Sequence, residues 1–371
     1  TGSFELSYQI TKRKVTLTSA SDEKVYDGNP LTNSKVTVTS KLGFAEKEGA
    51  TYNVTGTITD VGTKNNTFTY TLNEGTLASN YEIETHEGTL KVTPVTDKVT
   101  VKISGNTDTV TYDGNPHSVE GYEVKEISNP LYNASSIKFT GVAKAEGTDV
   151  ATYPMNLTST QFSNSSANFT DVKFVVTDGS LTIAPKSINP EDETGIKVTN
   201  PADSKYDGEE HKNKPTVTDT KTGVTLVEDK DYTLAYSDNV IDAGEVTVTI
   251  IGANNYTGRF NVTYQITQRS VILTSASDSK VYDKQPLTKK EVNVSGDGFA
   301  KEEGATYKVT GSQTEKGSSK NTFTFELKSN TKASNYSIEV KFGELKVTAE
   351  DGEVVVTITG HKDTFEYDGN E

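Results

Sequence analysis

A Tyr-Asp pair followed by turn-forming residues recurs five times along the chain. It opens as Lys24-Val25-Tyr26-Asp27-Gly28-Asn29-Pro30-Leu31-Thr32. It returns as Tyr112-Asp113-Gly114-Asn115-Pro116, Tyr206-Asp207-Gly208, Tyr282-Asp283-Lys284-Gln285-Pro286 and Tyr367-Asp368-Gly369-Asn370. Recurrence on this scale marks an array of similar units, each needing its own small core. Asp-Gly and Asn-Pro are turn formers, because Gly takes positive φ cheaply and Asp caps its own turn. The tyrosine ends an apolar-polar alternation. Tyr26, Tyr112, Tyr206 and Tyr282 are therefore expected in the core, each with its hydroxyl partnered. A strict demand for positive φ at the third position would cost Lys284 about 1 kcal/mol, so Lys284 argues against such a demand.

The spacings between successive tyrosines are 86, 94, 76 and 85 residues. The units are three types in rotation, and the rotation restarts. Phe4 through Tyr8-Gln9-Ile10-Thr11 matches Phe260 through Tyr264-Gln265-Ile266-Thr267, and Ser19-Ala20-Ser21-Asp22 matches Ser275-Ala276-Ser277-Asp278. The offset is 256 at first, and becomes 255 after a one-residue deletion before Phe299. The expected division is a closing strand of a third-type module (1–11), a first-type module (12–94), a second-type (95–185), a third-type (186–267), the first type again (268–348), and the opening of a second-type module (349–371). The linkers are short and none is Gly/Ser-rich, so neighbours cannot swing freely. A second anchor lies late in each module. Asn80-Tyr81, Asn168-Phe169, Asn255-Tyr256 and Asn335-Tyr336 each precede a closing strand, which reads as a turn side chain plus a core plug.

Segments such as Val15-Thr16-Leu17-Thr18, Phe68-Thr69-Tyr70-Thr71-Leu72 and Val246-Thr247-Val248-Thr249-Ile250 alternate with period two, the signature of half-buried strands. Glu46-Lys47-Glu48-Gly49 supports one turn at most, and no stretch reads as a helix. The expected fold is all-β: a tandem array of small immunoglobulin-like β-sandwich modules in an extended rod. The alternative is a single curled sheet crossed by one short helix.

The third module resembles an extracellular repeat common in surface proteins of Gram-positive bacteria. The resemblance is carried by Lys205-Tyr206-Asp207-Gly208, Asp231-Tyr232-Thr233-Leu234, Asp242-Ala243-Gly244 and Asn254-Asn255-Tyr256-Thr257-Gly258. The first module resembles the related YDG or MBG domains through Tyr26-Asp27-Gly28, Asp60-Val61-Gly62 and Ser79-Asn80-Tyr81. The second is more divergent but keeps Tyr112-Asp113-Gly114, Asp149-Val150-Ala151 and Asn168-Phe169. The resemblance implies a secreted or wall-attached, adhesin-like protein on the cell surface, with these repeats as its stalk. It supplies no catalytic residues.

With 37 Lys and Arg against 52 Asp and Glu, the net charge is −15, a poor match to nucleic acid or anionic membrane. No apolar run is long enough to cross a membrane, and no cysteine is present. His86, His117, His211 and His361 lie in different modules. At the repeat offset His86 becomes Lys341 and His361 becomes Asn106, as expected of solvated surface. No catalytic grouping or cofactor motif stands out, so neither an enzyme nor a cofactor is expected. Glu191-Asp192-Glu193 and Glu228-Asp229-Lys230-Asp231 lack EF-hand spacing and read as loops. Lys24 with Asn80, and Lys280 with Asn335, are the candidates for Lys–Asn isopeptide cross-links. Two roles are carried forward. One is a structural stalk or fibre whose partners are neighbouring repeats. The other is a ligand-binding module for a host protein, a glycan or a cell-wall component. The latter would sit in the second module, whose Asn129-Pro130-Leu131-Tyr132 and Tyr153-Pro154-Met155 have no counterpart elsewhere.

Overall fold

A computed structural model describes residues 2–350, 352, 353 and 355–369. The regular structure among them is strand, relieved by five three-residue 3-10 turns. The chain forms two compact units, Thr1–Ala184 and Pro185–Glu371. Every named strand pairs within residues 12–94, 95–185, 186–267 or 268–348.

In residues 12–94 the strands are β1 (Arg13–Ser19), β2 (Asp22–Val25), β3 (Val36–Val38), β4 (Ala50–Val54), β5 (Gly62–Asn66), β6 (Phe68–Leu72), β7 (Tyr81–His86) and β8 (Gly88–Thr93). The Val-Thr alternation of β1 turns Val15, Leu17 and Ser19 fully inward and leaves Thr16 and Thr18 partly exposed. β1 lies between antiparallel β3 and parallel β7. The chain then bends, and the same two strands continue in a second sheet as parallel β2 and β8, with antiparallel β5 beyond. β4 and β6 form a separate antiparallel pair.

Ser19 fixes the bend. Its hydroxyl donates to Asn66 O at 2.6 Å and accepts from Gly88 N–H at 2.8 Å. A Cβ on Gly88 would lie 2.4 Å from Ser19 O, so only glycine lets the two bent strands touch there. Ser275, Asn321 and Gly343 repeat this arrangement in residues 268–348.

Two apolar clusters result. Val15, Leu17 and Tyr81 pack with Phe44, Tyr52 and Phe68. Leu31, Ile58, Leu90 and Val92 pack below them. Each buried aliphatic chain contributes roughly 1.5–3 kcal/mol, so a lean composition still closes a module. Residues 95–185 hold a larger aromatic cluster around Val101, Ile103, Phe162, Phe169 and Phe174, and a second around Met155, Leu181 and Ile183. In residues 186–267 the long strands Gly244–Gly252 and Arg259–Thr267 pair antiparallel. Among the described residues the architecture is all-β, in tandem small modules whose strands pair within each module.

The third-type module carries a feature that sequence patterning did not flag. Lys186 pairs with Tyr256 in register, as Arg13 pairs with Tyr81 and Arg269 with Tyr336. Both arginines reach backbone carbonyls, through Nε to Gly43 O at 2.7 Å and to Gly298 O at 2.8 Å. The shorter Lys186 is instead buried, with Nζ 2.5 Å from Asp219 Oδ2, and both side chains are almost fully out of solvent.

Two expectations about the Tyr-Asp turns are corrected. Positive φ is required at the third position: it is 79° at Gly28, 80° at Gly114 and 91° at Gly208, and Lys284 sits at 70° despite its side chain. Hydrogen bonds on both sides hold Lys284 there. Gln285 N–H donates to Asp283 Oδ1 at 2.9 Å, and Lys280 Nζ spans Asp283 Oδ1 and Gln285 O at 2.6 Å each. Of the four tyrosines expected in the core, Tyr206 is buried at 3% exposure, while Tyr26, Tyr112 and Tyr282 are half-buried. The turn sits at the end of a module, so its ring reaches the module's own core only from the edge.

Candidate functional site

The Tyr-Asp turn is built the same way in all four modules. Its tyrosine N–H donates to the end of that module's last strand: Tyr26 to Thr93 O, Tyr112 to Ala184 O, Tyr206 to Thr267 O and Tyr282 to Thr348 O, at 2.8–3.0 Å. The aspartate accepts from the backbone N–H two residues on, in Asn29, Asn115, Glu209 and Gln285, at 2.9 Å each. This is the Asx turn its composition foretold. The aspartate's second partner differs by type. Lys24 and Lys280 serve the first-type copies at 2.6 Å. His117 and His211 serve the other two, with Nε2 2.9 and 3.0 Å from Asp113 and Asp207. These two histidines are thus not solvated surface. The signal for them was their shared place four residues after the aspartate. His86 and His361 are exposed beside Glu84 and Asp363.

These contacts depress the aspartates. The Asn115 N–H, then His117, bring Asp113 down to about 2. The Lys24 hydrogen bond lowers Asp27 and the Lys280 hydrogen bond lowers Asp283, while the Glu209 N–H lowers Asp207. The fifth turn has Tyr367 exposed, and its Asn370 lies outside the described residues.

Within each compact unit the two kinds of anchor meet across a module joint. In the first unit Val61 N–H donates to Asn168 Oδ1 at 2.9 Å, and Asn168 Nδ2 donates to Asp60 Oδ1 at 3.0 Å. Beside them the Tyr26 ring meets Phe169 edge-on, centroids 5.8 Å apart. In the second unit Ala243 N–H donates to Asn335 Oδ1 at 2.9 Å, and Asn335 Nδ2 donates to Asp242 Oδ1 at 2.8 Å. There the Tyr206 ring meets Tyr336 edge-on at 5.6 Å. The late Asn-aromatic anchor of one module therefore grips the module before it. Its asparagine takes the Asp-Val-Gly or Asp-Ala-Gly turn, and its aromatic takes the Tyr-Asp turn.

The second joint has further contacts. Tyr206 donates its hydroxyl to Glu303 Oε1, and Tyr336 donates to Glu303 Oε2 at 2.7 Å. Burial, reinforced by Glu303, pushes the Tyr206 hydroxyl up to about 12 and that of Tyr336 well above its ordinary value. Lys332 reaches Asp242 at 2.6 Å and Lys205 reaches Asp297 at 2.8 Å, and both carboxyls are lowered mainly by these lysines. At the first joint Leu131 of the second module lies against Gly28, 3.3 Å from where a Cβ would be.

Other candidates are placed elsewhere. Asn80 is exposed at the end of the 3-10 turn that leads into β7, and Asn255 O accepts from Lys186 N–H at 3.0 Å. The proposed Lys–Asn cross-link pairs do not meet. Lys24 and Lys280 are held by their own Tyr-Asp turns, and Asn335 is held by Asp242 and Ala243. In the acidic loops Asp192 accepts from the Ser187 hydroxyl at 2.5 Å, Asp231 from Val227 N–H, and Glu228 pairs with Lys214. In the segments peculiar to the second module, Tyr132 and Met155 are buried core residues. Among the described residues, these contacts hold modules together.

No protein-family model matches the chain, and no curated protein matches it. Among solved structures it is similar to the Sidekick-1 immunoglobulin domains 1–5, at 11% identity over 91% of this chain and 81% of that one, with a TM-score of 0.23. It is also similar to the protocadherin GammaB4 extracellular domain, at 8% identity over 91% of this chain and 66% of that one, with a TM-score of 0.20. Likeness this distant carries no argument about function.

Proposed function

We propose that this chain is a structural segment of a bacterial extracellular stalk or fibre, displayed at the cell surface, in which three module types recur about every 255 residues. The observation that carries the reading is the joint. Asn168 with Asp60 and Asn335 with Asp242 are the same grip made by modules of different type, each beside an aromatic pair. A joint fixed by hydrogen bonds and rings, on top of a short linker, resists bending, which a stalk needs. The Tyr-Asp-Gly and Asn-Tyr signatures resembling YDG and MBG repeats support the bacterial surface location. The absence of cysteine fits a chain stabilised instead by many small cores and paired turns.

The ligand-binding alternative has less support, since Tyr132 and Met155 of the second module are internal and Leu131 abuts the first module. Two measurements on the chain decide between the roles. Small-angle scattering should give a particle much longer than a globule of this mass, and arrays of glycans and matrix proteins should show no saturable binding. A compact particle would refute the stalk; saturable binding lost on substitution in residues 95–185 would establish the alternative.

A further inference from the structure

The first-type module appears twice, and on one face its two copies differ: the later copy has a third-type module docked there. The docking residues are Arg269, Ala300, Glu303, Asn335 and Tyr336, which align with Arg13, Ala45, Glu48, Asn80 and Tyr81. The inner half of the site is the same in both. Tyr81 donates to Glu48 Oε2 at 2.5 Å and accepts from Ala45 N–H at 3.0 Å. Tyr336 donates to Glu303 Oε2 at 2.7 Å and accepts from Ala300 N–H at 2.9 Å. The outer half differs. Asn335 is completely buried between Asp242 and Ala243, whereas Asn80 is exposed. Ala300 is buried and Ala45 is only half so.

Residues 2–11, directly ahead of this face, carry a second mark. At the 256 offset they align with the last strand of the third-type module, Arg259–Thr267, in which Val262, Tyr264 and Ile266 are buried. Their counterparts Leu6, Tyr8 and Ile10, with Phe4, are almost wholly exposed and belong to no strand. A stretch with strict strand alternation and every apolar side chain in water lacks a sheet to join.

We propose that this face is a docking site for the body of a third-type module, like that formed by residues 186–256. Gly2–Thr11 would enter that module as its closing strand. Asn80 would take its Asp-Ala-Gly turn, and the free Oε1 side of Glu48 would take the hydroxyl of its Tyr-Asp-Gly tyrosine. The proposal rests on the stalk reading and specifies which module type docks on this face. Leu77 replaces Lys332, and Leu42 and its neighbours offer no carboxylate in place of Asp297, so two salt bridges of the later joint are missing here.

The test is the full chain extended by a copy of residues 186–256 placed directly before Thr1. Hydrogen exchange should slow about 100-fold or more over residues 4–10 relative to the unextended chain. Asn80→Ala and Glu48→Gln, made in the extended chain, should speed exchange at residues 44–48 and 80–82. In the unextended chain Asn80→Ala should be silent there, and Glu48→Gln should show only the smaller effect of its weakened bond to the Tyr81 hydroxyl. Residues 4–10 left unprotected would overturn the strand assignment, and protection indifferent to both substitutions would overturn the docking face. Failure of the stalk reading is seen separately, as a compact particle in scattering of the unextended chain.

Discussion

Asn335 and Asp242 are 93 residues apart and hydrogen-bonded at 2.8 Å, and the same asparagine accepts the N–H of Ala243. One amide thereby satisfies a carboxylate and a backbone donor on another module. Asn168 does the same for Asp60 and Val61. Specific joints in this chain are thus made by a residue type that can donate and accept at once, which neither Asp nor Leu of similar size could do.

Asn335→Ala should destabilise the joint by about 1–3 kcal/mol, the cost of stranding buried partners. Asn80→Ala, at the matching exposed position, should cost under about 0.5 kcal/mol. Local hydrogen exchange in residues 240–245 and 333–338, against 78–83, reads the contrast. Equal effects would show that the asparagine acts only within its own module.

Lys284→Gly should stabilise its module by roughly 0.5–1 kcal/mol. Left-handed backbone costs a lysine about 1–2 kcal/mol, and the added freedom of glycine in the unfolded chain returns part of that gain. Gly28→Ala, at the same position of the other copy, should destabilise by about 1 kcal/mol. Denaturant unfolding followed separately in each module would show opposite signs; the same sign in both would contradict the turn geometry.

Lys186→Met should cost roughly 3–5 kcal/mol, because Asp219 would be left buried without its cation. The double change Lys186→Met with Asp219→Leu should recover most of it. A single substitution tolerated as well as the double would mean that solvent reaches the pair.

The Tyr206 hydroxyl should ionise near pH 12, where an ordinary tyrosine does so near 10. Its folded pKa is raised, so its contribution to stability is complete below pH 10 and is lost as pH climbs from 10 through 12. Ultraviolet difference titration, with Tyr206→Phe to identify the late step, tests this. A Tyr206 that ionises with the exposed tyrosines would refute its burial against Glu303.

Asp113 should titrate near 2 and not near 3.8. Its folded pKa is depressed, so its stabilising effect is present above about pH 4 and disappears as pH falls toward 2. A carboxyl-carbon NMR titration of the chain, compared with His117→Ala, reports the midpoint. The larger cause is the Asn115 N–H, so the His117 variant should move it only part of the way back toward 3.8.

The all-β class, the recurrence and the turns were legible in the residues alone. Alternation of Val and Thr states which face of a strand is buried, and an Asx turn closes within five residues of chain, so both are local properties. The sequence also marked Tyr26, Asn168, Phe169, Tyr206, Asn335 and Tyr336 of the two joints, as Tyr-Asp and Asn-aromatic anchors, while assigning each to its own module's turn or core; Glu303, Lys332 and Asp297 it did not single out. Tertiary structure decided that the anchors of successive modules meet, that Tyr26 and Tyr282 stay half-buried while Tyr206 is covered, and that Lys186 sinks onto Asp219 where its counterparts are arginines on carbonyls. Such contacts join residues 33 (Lys186 and Asp219) to 169 − 26 = 143 (Tyr26 and Phe169) positions apart. Which of them form depends on how bent strands turn their faces toward the next module, and no spacing within one strand records that. The φ of Lys284 is a local case of another kind: propensity disfavours it, and the hydrogen bonds of Gln285 N–H and Lys280 to Asp283 outweigh the strain.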